Sequence, residues 1–320
     1  MVIGRHLTTF AGLPVRQYNP HSRARNRKRC VYRLTSYQHG EEEVPFPKLL
    51  DSFLDEHGGK GLTALVIGAW DYDEMCDALG RKGARDVVDA LVANARRMPD
   101  LRALFFGDVT FDECEISWLA PRDVSALLPA FPRLEEFRIR GAAALTFGKI
   151  KHNNLRSFAV ESGGLPEGNL KEVWKAKLPK LEHLELWLGD PDYGGISDPA
   201  PLKPLLSGKL FKKLRYLGLR NSEVADAVAR AVVQSPLLER LEVLDLSLGN
   251  LTDAGAEALL GCPAVRNLKK LDLHHHFISP PFVAQLKKLP IEVDVSEGKK
   301  PEFSDYSGAT HVYRYIVASE

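Results

Sequence analysis

The sequence predicts an α/β solenoid in which parallel strands line a concave face and helices cover the outside, and three observations predict it. The pattern L-x-x-L-x-L, with Phe, Ile or Val allowed, occurs eight times, starting at Leu62, Leu101, Leu134, Leu155, Leu181, Leu214, Leu241 and Leu268. Between these apolar strands lie residues at helical intervals of three and four, such as Phe46, Leu49, Leu50, Phe53 and Leu54, then Val87, Val88, Leu91 and Val92. Strand followed by helix, repeated, means parallel strands joined by right-handed crossovers. No unit of this size hides its own apolar face, so neighbours must stack into a continuous core.

The elements follow in order. Val31 to Tyr37, the Phe46 to Leu54 helix and Leu62 read as a degenerate first unit. The repeat starts then step by 39, 33, 21, 26, 33, 27 and 27 residues, close to the ~20 to 29 of leucine-rich repeats, with insertions in the longer units. Further helices are expected at Val224, Val228, Ala231 and Val232, and at Phe282, Val283 and Leu286. Ile291 through Val293 and Val295 is the last repeat strand or its remnant. HVYRYIVA, from His311 to Ala318, reads as a terminal strand from its β-branched and aromatic content, and the SEGKKPEFSDYSG stretch before it as a polar loop. The expected organisation is one continuous folded domain: cap and degenerate repeat over 1–60, repeats over 61–290 and a cap strand over 291–320.

The stretch LERLEVLDLSLGNLTDAGAEALL, residues 238–260, resembles ribonuclease-inhibitor-type leucine-rich repeats, with Asn250, Leu251, Thr252, Asp253 and Gly255 following the strand leucines. Asn250 falls four residues after Leu246, where that pattern has three. Most other units lack the Asn, so no regular ladder of Asn side chains is expected. At a finer level the chain is similar to an uncharacterised bacterial leucine-rich-repeat family. HLTTFAGLPV, FFGDVTFDECEISW, HLELWLGDPDYGG, YLGLRNSE, LDLSLGNLTDAGAEALL, LDLHHHFIS and YIVASE carry that likeness. It implies the leucine-rich-repeat horseshoe and no activity, so no functional residue is carried over.

Composition excludes several classes. With 43 Lys+Arg against 42 Asp+Glu, 44% hydrophobic and 27% charged residues, the 320-residue chain is neither collagen-like nor disordered nor strongly basic. Cys30, Cys76, Cys114 and Cys262 lie far apart without a C-x-x-C pair, which predicts buried thiols in a reducing compartment rather than a zinc ribbon or disulfide scaffold. No apolar run approaches a membrane span and the N-terminal stretch lacks a secretory pattern, so a cytoplasmic protein is expected.

If the repeat leucines point into the core, the third, fifth and seventh positions face the hollow side. Polar and aromatic residues gather there from the third unit onward. The expected partner-binding residues are Arg138, Arg140, Glu161, His183, Glu185, Trp187, Tyr216, Arg220, Asp245, Asp272 and His274. Trp187, Tyr216 and Arg220 are the centre, because these residue types dominate binding energies at interfaces. Two acidic, aromatic insertions follow strands, at 107–118 and 187–198. With WDYDE at Trp70 to Glu74, they offer Asp108, Asp112, Glu113, Glu115, Asp190, Asp192 and Tyr193 as an acidic rim suited to a basic partner or cation.

Two alternatives stay open. Asp245, Asp272 and His274 could form a metal-binding or metal-dependent catalytic corner, since adjacent carboxylates call for a proton, a cation or a basic partner. RARNRKR, residues 23–29, could engage nucleic-acid phosphates. No phosphate-binding loop, nucleophile elbow or dinucleotide fingerprint occurs. The reading is a non-catalytic scaffold without a cofactor, binding a protein through its concave face and acidic loops.

Overall fold

The computed structural model describes residues 3–19, 30–36, 44–76, 83–306 and 309–319. The chain divides into two compact units. Unit 1 runs to Glu161 and takes in Lys175–Leu181, and unit 2 comprises Ser162–Trp174 and Glu182–Ser319.

Unit 1 runs β1 (Thr9–Phe10), β2 (Leu13–Gln17), β3 (Val31–Leu34), α1 (Phe46–His57), β4 (Ala64–Ile67), α2 (Tyr72–Met75), α3 (Arg85–Ala93), β5 (Ala103–Phe106), α4 (Leu127–Ala130), β6 (Glu136–Arg140) and β7 (Ser157–Glu161). β1 and β2 form an antiparallel hairpin, and β2 through β7 pair in sequence order, all parallel. Helix α1 has a proline in its first turn and Gly58 beyond its end at φ +65°, the two signals that start and stop a helix. Between β6 and β7 the described residues contain no helix, because a 21-residue step leaves no room for one.

Unit 2 runs α5 (Glu167–Trp174), β8 (His183–Gly189), α6 (Lys203–Leu206), β9 (Tyr216–Ser222), α7 (Ala225–Val233), β10 (Val243–Asp245), α8 (Asp253–Leu260), β11 (Lys270–Asp272), α9 (Pro280–Leu286), β12 (Glu292–Asp294), β13 (Glu302–Tyr306) and β14 (Ala309–Tyr313). β8 to β12 pair in order, all parallel. Their repeat leucines, among them Leu184, Leu217, Leu244 and Leu271, are fully buried, each contributing roughly 1.5–3 kcal/mol of apolar burial. Neighbouring repeats are also tied on the helical side. The Asp226 carboxylate accepts from the Thr252 and Gly255 amides at 2.8 and 3.0 Å, and Asp253, 27 residues on, accepts from the Ser279 amide at 2.6 Å.

Three expectations are corrected. The third and fifth positions of the first two repeats, expected on the hollow side, are core: Leu7, Phe10 of β1 and Leu13 of β2 pack against Ala64, Val66, Ala103 and Phe105. The polar stretch before the terminal strand contains β13, which pairs with β14 along its length from Glu302–Tyr313 to Tyr306–Ala309. Alternating polar and apolar residues suffice for a hairpin there. Finally, Cys76 and Cys114 meet as a disulfide with Cα atoms 5.9 Å apart, since the connections after β4 and β5 run side by side. Cys30 and Cys262 take no part in that disulfide.

Candidate functional site

The strands of unit 2 set the site by register. Glu185 on β8 lies opposite Gly218 on β9, which lies opposite Asp245 on β10, and Asp245 opposite Asp272 on β11. Two carboxylates thus flank a residue without a side chain. Arg220, two positions along β9 and paired with Trp187, fills the space between them: its Nη1 donates to Glu185 at 2.9 Å, and its Nε lies 3.2 Å from Asp245 and donates to Ser247 at 2.9 Å. A Cβ on Gly218 would meet Glu185 and Tyr216 at 3.2 Å and Arg220 at 3.4 Å, so the glycine makes the bridge fit.

Both carboxylates accept further hydrogen bonds. Trp187 Nε1 donates to Glu185 at 2.8 Å, the Tyr216 hydroxyl donates to Asp245 at 2.6 Å, and the Ser247 amide donates to Asp245 at 3.0 Å. The Arg220 guanidinium also sits over the Trp187 ring, 5.5 Å from its centre. Burial works against the Arg220 charge, but Glu185 and Asp245 outweigh it and raise its pKa. Burial and the same carboxylates push the Tyr216 phenol upward, so it stays protonated and donates.

What reaches solvent is narrower than the sequence suggests. Trp187 is only 1% exposed, and Glu185, Asp245 and Asp272 are buried. They form the layer beneath the surface, not the surface. The half-exposed residues are His183, Tyr216, Val243, Lys270, Arg220 and His274. His183 and Tyr216 stack with ring centres 3.7 Å apart and planes within 8°. Val243 and Lys270, third positions of their repeats, share this face although neither is among the expected partner-binding residues.

The metal corner is not supported. Asp245 is spent on Arg220 and Tyr216. Asp272 instead takes His274 Nδ1 at 2.6 Å, with Lys270 Nζ 3.0 Å away. The ligand-type atoms that do approach one another belong to Asp272, His274 and Asp294, and the Lys270 ammonium already supplies a positive charge there. Burial raises the Asp272 carboxyl, but hydrogen bonds from His274 and Lys270 prevail and lower it to about 2. The Asp272 hydrogen bond raises the His274 imidazole against the effect of burial. The three histidines do not alternate as on a strand, because β11 ends at Asp272 and His275 has φ +58°. His275 contacts the Tyr315 carbonyl and His276 Nδ1 accepts from the Ile278 amide.

Within unit 1, Arg138 and Arg140 both reach Glu161, at 2.9 and 2.7 Å, and both lie over Phe105. Arg140 and Glu161 are buried. Asp108, expected on the rim, is wholly buried and pairs with Arg33 at 2.6 Å while accepting from the Leu7 amide. Trp70 is buried as well. Of the acidic segments, Asp71, Asp73, Glu74, Asp112, Glu113 and Glu115 remain at least partly exposed, as do Asp190, Asp192 and Tyr193 in unit 2. The basic run 23–29 lies outside the described residues.

A structural-genomics target from Bacteroides fragilis, known from its crystal structure, is 32% identical, with a TM-score of 0.73 over 85% of this chain and 72% of that one. The chain belongs to the same bacterial family as that protein. An internalin from Listeria monocytogenes is 18% identical over 76% of this chain and 56% of its own, with a TM-score of 0.39. A leucine-rich-repeat protein from Leptospira interrogans is 17% identical over 84% and 55%, with a TM-score of 0.39. No family model matches the chain, and no curated protein matches it. In this leucine-rich-repeat chain no helix among the described residues is long and apolar enough to cross a membrane.

Proposed function

We propose that this leucine-rich-repeat chain is a non-catalytic scaffold that binds a protein partner through the polar strand face of unit 2, with its acidic loops as a second contact. The observation that carries this reading is the stacked His183–Tyr216 pair held over a fully paired layer of Glu185, Arg220 and Asp245. A surface whose charges are fixed before binding loses little freedom on complex formation, and aromatic and arginine side chains are the usual anchors of such contacts. The same pairing argues against catalysis at this face, because the carboxylates that could move a proton are committed to Arg220, Lys270 and His274.

The test is co-purification from the native host of the wild-type chain and of a His183→Ala, Lys270→Glu variant, both at half-exposed positions, with the fold of the variant checked by circular dichroism. A protein recovered with the first and lost with the second supports the reading. A protein recovered equally with both moves the site off this face, and turnover of a substrate by the purified chain removes the scaffold reading altogether.

A further inference from the structure

Away from the strand face, unit 1 holds an open groove of about 340 Å³ between the connection that follows β4 and the one that follows β5. Three aromatic side chains stand along it, Tyr72, Phe111 and Trp118, and they are 48%, 38% and 49% exposed. Exposed aromatic rings gathered in one place are uncommon on a chain with no use for them. The Cys76–Cys114 disulfide lines the same groove and fixes the turn that carries Tyr72 to the loop that carries Phe111 and Trp118.

The loop itself is stiffened from within. Glu113 Oε2 accepts from the Thr110 amide at 2.7 Å and from its hydroxyl at 3.0 Å, and the Trp118 amide donates to the Glu115 carbonyl at 3.0 Å. Glu113 also faces His6 at 3.3 Å, so its charge is used at home. Asp112 and Glu115 line the groove, and Asp73, next to Tyr72 in sequence, is exposed. Among the described residues none of these three is in an ion pair, and none of the described residues that line the groove is a lysine or arginine.

Aromatic faces beside carboxylates define the chemistry of the occupant. The ring faces attract a cation, and the carboxylates pair with one. An acidic peptide or a nucleic-acid phosphate meets like charge, and a purely apolar segment buries Asp112 and Glu115 without a partner. We propose that this groove docks an arginine- or lysine-bearing segment of a protein partner, with the cation among the three rings and against Asp112 and Glu115. This deepens the scaffold reading by naming the partner chemistry of the loops, and it rests on that reading.

Calorimetric titration of the intact, oxidised chain with an arginine-rich hexapeptide tests it, with a glutamate-rich hexapeptide as control. The arginine peptide should bind and the glutamate peptide should not. Trp118→Ala and the Asp112→Asn, Glu115→Gln pair should each weaken binding tenfold or more, while His183→Ala with Lys270→Glu leaves it unchanged. Absence of arginine-peptide binding, or binding indifferent to the Trp118 and Asp112/Glu115 changes, overturns the proposal. A native partner that still depends on His183 and Lys270 would then leave the scaffold reading standing without this groove.

Discussion

The Arg220 guanidinium donates to the Glu185 carboxylate at 2.9 Å across the gap that Gly218 leaves, and with Asp245 on the other side it is shared by two buried anions. Removing it strands both. Arg220→Met should therefore destabilise the chain by roughly 3–5 kcal/mol, the cost of uncompensated buried charge. In urea denaturation the Glu185→Gln change added to Arg220→Met should recover part of that loss. Equal stability of Arg220→Met and wild type would mean that the carboxylates are solvated and the network is not closed.

Gly218 itself gives a second test. Its Cβ would approach Glu185 and Tyr216 at 3.2 Å, closer than these side chains tolerate without shifting. Gly218→Val should separate Arg220 from one of its carboxylates and cost about 1–3 kcal/mol, the range for overpacking a filled space. Gly218→Ala should cost less, since its single methyl needs only a few tenths of an ångström. Thermal denaturation of the two variants reads the order directly, and a Val variant as stable as wild type would contradict the packing.

How far this arrangement was legible in the sequence follows from the same residues. The register that sets Trp187 beside Arg220, and Asp245 beside Asp272, came from the repeat spacing alone and is the register observed, because parallel strands of equal pattern align their leucines. Burial was not legible. Alternation says which side of a strand a residue leaves, but not whether neighbours on that side close over it. Trp187 bends back to Glu185, and Phe10 arrives from a hairpin that no repeat signal announces. Cys76 and Cys114 were equally hidden, since 38 residues of sequence separate groups that adjacent connections bring together.

The Asp272–His274 contact of 2.6 Å predicts two opposite pH limbs. The folded His274 pKa is raised, so its contribution is complete below the ordinary histidine range and disappears as pH rises through the folded value. His274→Gln should thus cost more stability at pH 5.5 than at pH 8.5. The folded Asp272 pKa is lowered to about 2, so its contribution is present above the ordinary carboxyl range and is lost as pH falls toward that value. Asp272→Asn should flatten acid destabilisation between about pH 4 and pH 2. Parallel pH profiles for wild type and both variants would refute the pairing.

Phe10 caps the apolar wall of unit 1, with its ring 6.1 Å from that of Phe105, and the Leu7 amide is held by Asp108. Phe10→Ala should cost about 3–5 kcal/mol, as for other buried aromatic truncations. It should also uncover Val66 and Phe105, which increased binding of a hydrophobic dye would register. An unchanged dye signal together with unchanged stability would show that the hairpin does not cover this face.

Asn221 supplies the last prediction, because it joins three segments of unit 2 that are distant in sequence. It is fully buried at φ +50°, a left-handed conformation that asparagine tolerates better than most residues. Its Nδ2 donates to the Ser162 and Ala318 carbonyls, and its Oδ1 accepts the Ala318 amide at 3.0 Å. The Val317 amide donates to the Leu248 carbonyl at 3.0 Å and Tyr315 meets His275, and Asn221 fastens the end of the same YIVAS segment by two hydrogen bonds to Ala318. Asn221→Ala leaves buried carbonyls and an amide without partners, at about 1–3 kcal/mol. Amide hydrogen exchange at Val317 and Ala318 should accelerate while the amides of β10 and β11 keep their protection. Asn221→Gly relieves the backbone conformation yet still lacks the amide group, so it should show the same local exchange. Should the glycine variant instead restore slow exchange, the fastening would come from the turn and not from the side chain.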